Sequence, residues 1–545
     1  MKISIAQLNY RIGDFEANTA AILNALEKAQ RDGAELAVFA ELSVCGYPPL
    51  DFLEFEDFIE KCEKSVQQIA DACQNIACII GSPIPNHNPK GKPLFNAAVF
   101  CYQGKTKLFR KALLPNYDVF DEYRYFEPSR DFEILIFKGK KIALTICEDI
   151  WDVGNSRLYT VNPMEELWSQ QPDFLINIAA SPFHYDQAKR REEVLKANVA
   201  QFGIPLVYVN QVGAQTELIF DGDSMVINSK NEIVHRLKNF QEDFYTFDIE
   251  QLTSVEPQET LQKDSSKTSR IHDALVMGIH DYFVKSGFSK AIVGLSGGID
   301  SAVTFVLAAK ALGNSNVFGL LMPSQFSSDH SVNDAFALAN NLNSPNSLIG
   351  IEEIFQVFGE SLQANFGDLP FNITEENIQA RIRGVLLMAM SNKFGYILLN
   401  TSNKSEAAVG YGTLYGDMNG GLSVLGDVYK TEVYDLANYI NRDTQIIPVN
   451  SITKPPSAEL RPNQKDSDSL PDYPVLDSLL YHYIEKRLGP AELIAHGYDE
   501  KLVARVLKLV NANEYKRHQT PPILRVSPKA FGMGRRMPIV AKYLI

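Results

Sequence analysis

Ala291-Ile292-Val293-Gly294-Leu295-Ser296-Gly297-Gly298-Ile299-Asp300-Ser301 decides the fold of the second half of the chain. An apolar run ends in a tight loop of small and hydroxylic residues, and Ala302–Ala309 continues as a helical run. Strand, loop and helix in that order present successive backbone N–H groups at a helix N-terminus, which suits a phosphate. No Gly-Lys-Ser/Thr follows, so the loop is not a Walker P-loop. Any strand-to-helix turn that needs φ > 0 would call for glycine. The Asp and two Ser at fixed places lift this stretch above such a turn.

A second stretch of the same kind lies downstream, Gly395-Tyr396-Ile397-Leu398-Leu399-Asn400-Thr401-Ser402-Asn403-Lys404-Ser405-Glu406. Again an apolar strand is predicted to run into a polar, helix-starting loop. Read alone, Thr401–Glu406 is a capping turn with Glu in the first helical turn. Read beside Ser296–Ser301, it offers a carboxylate that could face Asp300. Two oxygens from different loops would suit Mg²⁺, which takes one or two carboxylates together with phosphate.

The bulk numbers narrow the class. At 545 residues the chain is long enough for two or three domains, and its 45% hydrophobic and 22% charged content is that of a globular protein. A net charge of −14 argues against a nucleic-acid backbone as main partner. It leaves room for an anionic nucleotide in a local basic pocket. No apolar run approaches the ~18–20 residues of a membrane span. Cysteines stand at 45, 62, 73, 78, 101 and 147, with no C-x-x-C and no His at zinc spacing. No signal-peptide pattern opens the chain, so reduced thiols and a cytoplasmic location are expected.

Strand patterns at Lys2–Leu8, Leu36–Ala40, Ala77–Gly81, Ala97–Tyr102, Ile142–Ile146, Phe174–Ile178 and Leu206–Asn210, with helices between several of them, predict an α/β layered domain over 1–250. Residues 251–270 are polar and Ser/Thr-rich and read as a linker. A second α/β domain, 271–545, opens with a helix at 271–286. Residues 454–473, rich in Pro and polar side chains, read as a long mobile loop.

In the first domain Cys147 ends a strand and is followed by Glu148-Asp149. A thiol needs a base or a positive charge to become a thiolate. Phe39-Ala40-Glu41-Leu42-Ser43 puts a carboxylate at the end of an apolar strand, and Phe109-Arg110-Lys111-Ala112-Leu113-Leu114-Pro115 puts a lysine in a similar place. Each of the three taken alone would be read as structural or solvated.

Together these three segments resemble the nitrilase superfamily, whose members use Glu, Lys and Cys in that chain order. The resemblance covers roughly 1–250 and implies an αββα layered domain. It implies that Glu41 is the general base, that Lys111 stabilises the oxyanion, that Cys147 forms the thioester and that Glu122 positions water. Asn116–Glu122 and Ala180-Ser181-Pro182-Phe183-His184 resemble the glutaminase versions of that fold, which implies glutamine contacts at Tyr117 and Ser181. The family often has Lys six residues after that Ser. Position 187 here is Gln, with Lys189 close by, so the contact falls to one or the other.

Ser-Gly-Gly-x-Asp-Ser resembles the pyrophosphate loop of the ATP pyrophosphatase family. Glu376–Arg383, Gly410–Gly421, Gly426–Thr431 and Lys516–Pro522 resemble the NAD synthetases of that class. A nitrilase-type glutaminase placed before such a domain resembles the glutamine-dependent NAD synthetase family over nearly the whole chain. The resemblance implies a Rossmann-like parallel sheet in 271–545. It implies ATP as co-substrate, held by Gly294, Leu295, Ser296, Gly297, Gly298, Ile299, Asp300, Ser301, Thr401 and Lys430. It implies deamido-NAD contacts at Asn377, Glu406, Asp417 and Lys516, and Mg²⁺ on Asp300 and Glu406. The implied reaction hydrolyses glutamine at Cys147, adenylates deamido-NAD and displaces AMP with ammonia. A homo-oligomer is expected.

Overall fold

The computed structural model of the chain describes residues 1–154, 158–256 and 266–543. Its backbone divides into two compact units, Met1–Asp264 and Ser265–Ile545.

The first unit begins with β1 (Lys2–Gln7), β2 (Leu36–Val38), β3 (Ala77–Pro85), β4 (Leu94–Tyr102) and β5 (Lys105–Arg110). A second sheet takes up β6 (Leu135–Phe137), β7 (Lys140–Ile146), β8 (Phe174–Ala179) and β9 (Leu206–Asn210). The hairpin β10 (Val212–Gln215) and β11 (Leu218–Asp221) stands apart. The chain then adds β12 (Met225–Ile227) and β13 (Ile233–Arg236) to the second sheet, and β14 (Asp243–Asp248) to the first. The strand orders are β14-β1-β2-β3-β4-β5 and β13-β12-β9-β8-β7-β6. β1, β2 and β3 are parallel neighbours, as are β7, β8 and β9.

Ile3, Ile5, Val38, Ile79 and Phe100 of one sheet share a single core with Ile142, Leu144, Ile176 and Val207 of the other. Helices α1 (Phe15–Arg31) and α2 (Glu56–Ala72) pack on the first sheet, and α3 (Pro163–Trp168) and α4 (Gln187–Phe202) on the second. This is the αββα layering implied by the sequence. The helical pattern around 17–31 begins two residues earlier, because the Asp14 side chain accepts from Ala17 N–H and caps α1.

Of the expected linker 251–270, residues 257–265 lie outside the described residues. Its last part is already helix. α5 (Lys267–Ser286) starts four residues before the predicted 271, because the Ser266 side chain accepts from Ser269 N–H. A polar Ser/Thr-rich stretch and a helix N-cap draw on the same residue types.

The second unit carries β15 (Ala291–Gly294), α6 (Ile299–Leu312), β16 (Val317–Leu321), α7 (Asp329–Asn341), β17 (Asn346–Leu348), α8 (Glu352–Phe366) and α9 (Ile373–Phe394). After these come β18 (Ile397–Asn400), α10 (Lys404–Val409), β19 (Leu422–Ser423) and α11 (Lys430–Ile440). The sheet order is β17-β16-β15-β18-β19, and each paired neighbour is parallel. Strands buried on both faces read as unbroken apolar runs, which is the pattern of Ala291–Gly294. From β15 the chain moves to one side of the sheet and later returns on the other as β18. Ligands of open α/β sheets bind at such a switch point, beyond the carboxyl ends of the strands.

Gly395 departs from the strand reading. It has φ +68° and caps α9, so β18 begins at Ile397. The stretch 454–473 is tied down. Glu459 accepts from the Ser328 and Ser331 hydroxyls at 3.0 and 2.8 Å, and Gln379 donates to the Leu460 carbonyl at 2.9 Å.

Candidate active sites

In the first unit Glu41, Lys111 and Cys147 each lie just past a strand end, after β2, β5 and β7. Lys111 Nζ is 2.7 Å from Glu41 Oε1 and 2.9 and 2.8 Å from the two Glu122 oxygens. Glu41 Oε2 accepts from Ala180 N–H at 2.9 Å, and Glu122 Oε1 accepts from the Tyr47 hydroxyl at 2.9 Å. All of these side chains are buried.

Cys147 has φ +45°, a conformation uncommon outside glycine and characteristic of turns that aim a side chain. Burial, and next the Glu41 carboxylate, push its thiol well above the usual range, while Lys111 pulls the other way. Burial also raises Glu122 to about 7, with Lys111 opposing and Glu41 adding to the rise. The neighbouring charges hold Lys111 protonated against its burial. The cluster therefore gathers Glu41 and Glu122 around one ammonium, beside a thiol that stays protonated until a base takes its proton.

Asp149 locks these segments together. Its Oδ1 accepts from the backbone N–H of Ala112 and Leu113 at 3.0 and 2.8 Å, and its Oδ2 from that of Ile146 at 3.0 Å. Tyr117 donates to Glu148 at 2.9 and 3.1 Å, and Tyr159 donates to the same carboxylate at 2.9 Å. Gln187, the first residue of α4, donates to Ser181 Oγ at 3.2 Å. The Lys189 side chain is 82% exposed and faces Glu193. Gln187, not Lys189, touches Ser181.

In the second unit a cavity of about 300 Å³ opens at the switch point. Gly294–Ser301 line it, all but Gly297, as do Thr401, Glu406, Asp417 and Lys430. Gly297 has φ +75°, and a Cβ there would meet the Ser331 carbonyl at 2.1 Å, so only glycine fits. Gly298 is the N-cap of α6 and its N–H is held by Ser296 Oγ at 3.2 Å. The helix thus begins at Ile299, before the predicted 302, and carries Asp300 and Ser301 in its first turn.

Asn403 and Glu406 form a capping box at the start of α10, so 401–406 is the capping turn that its sequence suggests. The same Glu406 also faces the cavity, with Oε1 3.6 Å from Lys430 Nζ. Asp300 accepts from Asn403 Nδ2 at 2.9 Å and from Lys430 at 2.5 Å. Burial and then Asp300 push Glu406 up to about 8. Two carboxylates, each in the first turn of a helix at the cavity, offer hard oxygens of the kind Mg²⁺ takes. Among the described residues no group of three His, Cys, Asp or Glu side chains has metal-holding geometry, so the pair would leave the remaining positions to phosphate and water.

Asn377 and Lys516 do not line this cavity. Asn377 accepts from the Thr413 hydroxyl at 2.7 Å, and Lys516 donates to the carbonyls of Gly410 and Gly412 at 2.8 and 2.9 Å. Both hold the 410–417 loop. Cavity-lining residues to which the sequence reading gave no ligand role include Arg383, Asn400, Lys454–Leu460 and Asp466. The Pro-rich run Lys454-Pro455-Pro456 was the available signal for part of this wall.

A family model described as Carbon-nitrogen hydrolase matches residues 2–256, and one described as NAD synthase matches 271–520. The Glutamine-dependent NAD(+) synthetase of Synechocystis sp. is 45% identical over 99% of this chain and 99% of its own. The chain belongs to the glutamine-dependent NAD(+) synthetases. It is an NAD synthase of the glutamine-hydrolysing kind. The relative from Thermotoga maritima is 38% identical over 100% of this chain and 99% of its own. The solved structure of glutamine-dependent NAD+ synthetase from Acinetobacter baumannii in complex with ADP aligns at a TM-score of 0.78 with 39% identity, covering 99% of this chain and 98% of that one.

Proposed function

We propose that the two units divide the reaction, with a glutaminase around Cys147 and a deamido-NAD adenylating site around Asp300. Glu41 takes the Cys147 proton. The thiolate attacks the side-chain carbonyl of glutamine, and Lys111 meets the developing oxyanion. The proton returns to the leaving nitrogen, ammonia departs and a thioester remains. Water, oriented by Glu122, cleaves the thioester to glutamate. Tyr117, Ser181 and Gln187 hold the glutamine.

In the second unit the nicotinate carboxylate of deamido-NAD attacks the α-phosphorus of ATP and releases pyrophosphate. Ammonia then displaces AMP and leaves the amide of NAD. Gly294–Ser301 and Thr401 cradle the phosphates through the N-terminus of α6. Lys430 neutralises them. Asp417 contacts deamido-NAD, with Asn377 and Lys516 setting the loop that carries it. Asp300 and Glu406 would hold Mg²⁺, which supplies neutralising charge for the pyrophosphate. A cytoplasmic homo-oligomer completes the reading.

The observation that carries it is the convergence of Glu41 and Glu122 on the buried Lys111 ammonium beside Cys147, in the half that matches carbon-nitrogen hydrolases. The test is to incubate the protein with ATP, Mg²⁺, deamido-NAD and glutamine and to identify every product. NAD, glutamate, AMP and pyrophosphate are expected. ADP with orthophosphate would overturn the adenylation step.

A further inference from the structure

Asn96 lies on β4 and is 1% exposed. Its Nδ2 is 2.7 Å from Glu41 Oε1 and 3.5 Å from Glu122 Oε2. Its backbone carbonyl accepts the N–H of Lys111 at 2.8 Å. The Oδ1 atom is buried and has no hydrogen-bond partner among the described residues. Turning the amide over would set that oxygen against a carboxylate, so the orientation with NH₂ toward the two glutamates is forced. An orphaned buried carbonyl is a cost that an apolar residue of similar size would not carry.

We propose that Asn96 is a positioning residue of the glutaminase reaction, donating to Glu41 and Glu122 together and holding the pair about Lys111 ready to take the Cys147 proton. The inference rests on the reading of Cys147 as nucleophile and Glu41 as base. Its chemical logic is neutrality. A Lys or Arg at this position would also satisfy both carboxylates, but it would cancel the negative charge that draws the proton from the thiol. Asparagine supplies N–H donors to both without adding charge. The groups that face the carboxylate pair are Lys111, Tyr47 and the Cys147 thiol, and Glu148 acts on that thiol in turn. Among them only Lys111 is a cation, and the Asn96 amide adds to the Lys111, Tyr47 and Ala180 donors in setting how tightly the pair holds a proton.

The test is the pH profile of kcat/KM for glutamine in Asn96→Ala, Asn96→Leu and Asn96→Asp, with ammonium-driven NAD synthesis by the same preparations as the control. Loss of the donor should move the acidic limb up by about half to one pH unit in the Ala and Leu variants. Asn96→Asp adds a third carboxylate and should move it further the same way. In each variant kcat should fall more than KM rises, and ammonium-driven synthesis should persist. A limb that stays in place overturns the proposal, whatever happens to the unfolding temperature. Asn96→Asp keeps the side-chain shape and decides the case if the apolar variants do not fold. Glu41→Gln is measured alongside. If it keeps glutamine-driven turnover, the base assignment is wrong. If it loses that turnover while the Asn96 limbs stay in place, the role of Asn96 alone is wrong.

Discussion

Lys430, the first residue of α11, sets its Nζ 2.5 Å from Oδ2 of Asp300 in the first turn of α6. The same ammonium is 3.6 Å from Glu406, so one cation serves two carboxylates. Burial and Asp300 raise Glu406 from 4.5 to about 8. The folded protein therefore binds this proton more tightly than the unfolded chain does. The associated stability is complete below about pH 4.5 and is lost as pH rises through about 8.

Glu406→Gln should accordingly stabilise the protein free of nucleotide and metal. It leaves a matched Lys430–Asp300 pair in place of a charge excess. A gain of about 1–2 kcal/mol is expected near pH 9 and almost none at pH 5. Synthesis from glutamine or ammonium should vanish, a trade of activity for stability. Thermal unfolding across pH measures the first effect. A variant less stable than the parent at pH 9 would reject the charge-excess account.

Cys147→Ala should abolish glutamine-driven NAD formation and leave ammonium-driven formation within about twofold. The thiolate is needed only to open the amide, and the cavity at the switch point is lined wholly by residues of the second unit. Loss of both activities in a folded variant would end the division of labour.

The sheet of the second unit was legible because parallel strands buried on both faces leave apolar runs, and Ala291–Gly294 and Ile397–Leu399 are such runs. Helix starts were less legible. Ser266 and Gly298 cap helices inside stretches whose composition reads as linker or loop. Glu406 shows the limit of pattern reading, since Asn403-x-x-Glu406 is a complete capping box and a cavity carboxylate at once. Asn96 was invisible, because an asparagine within the strand Leu94–Tyr102 carries no motif. Its contacts to Glu41 and Glu122 are made across long sequence separations.

Replacing the glutamine-side residues should separate Gln187 from Lys189. Gln187→Ala removes the bond to Ser181 Oγ and should raise KM for glutamine about 5- to 30-fold, the worth of about 1–2 kcal/mol. Lys189→Ala should change it less than twofold, because that side chain is 82% exposed. Steady-state kinetics with varied glutamine compares them. The reverse order would place the amino-acid contact on the outer face of α4.

Asp149 should prove to be the brace between nucleophile and lysine. Its carboxylate takes three backbone N–H groups, from Ala112, Leu113 and Ile146, which adjoin Lys111 and Cys147 in sequence. Asp149→Ala would strip the acceptor from three buried donors and should cost about 2–4 kcal/mol at neutral pH. Asp149→Asn keeps one acceptor oxygen and turns an NH₂ toward one of those N–H groups, so kcat for glutamine should fall while ammonium-driven synthesis persists. Its stability should carry a distinctive pH signature. Burial raises the Asp149 carboxyl from 3.8 to about 6 despite its donors. The parent therefore loses stability from this group as pH rises from about 4 through about 6, whereas the Asn variant, neutral throughout, does not. The unfolding temperature of Asp149→Asn relative to the parent should climb across that interval. Had the donors outweighed burial, it would drop instead, and a measured drop would mean that Asp149 is held as a stabilised anion.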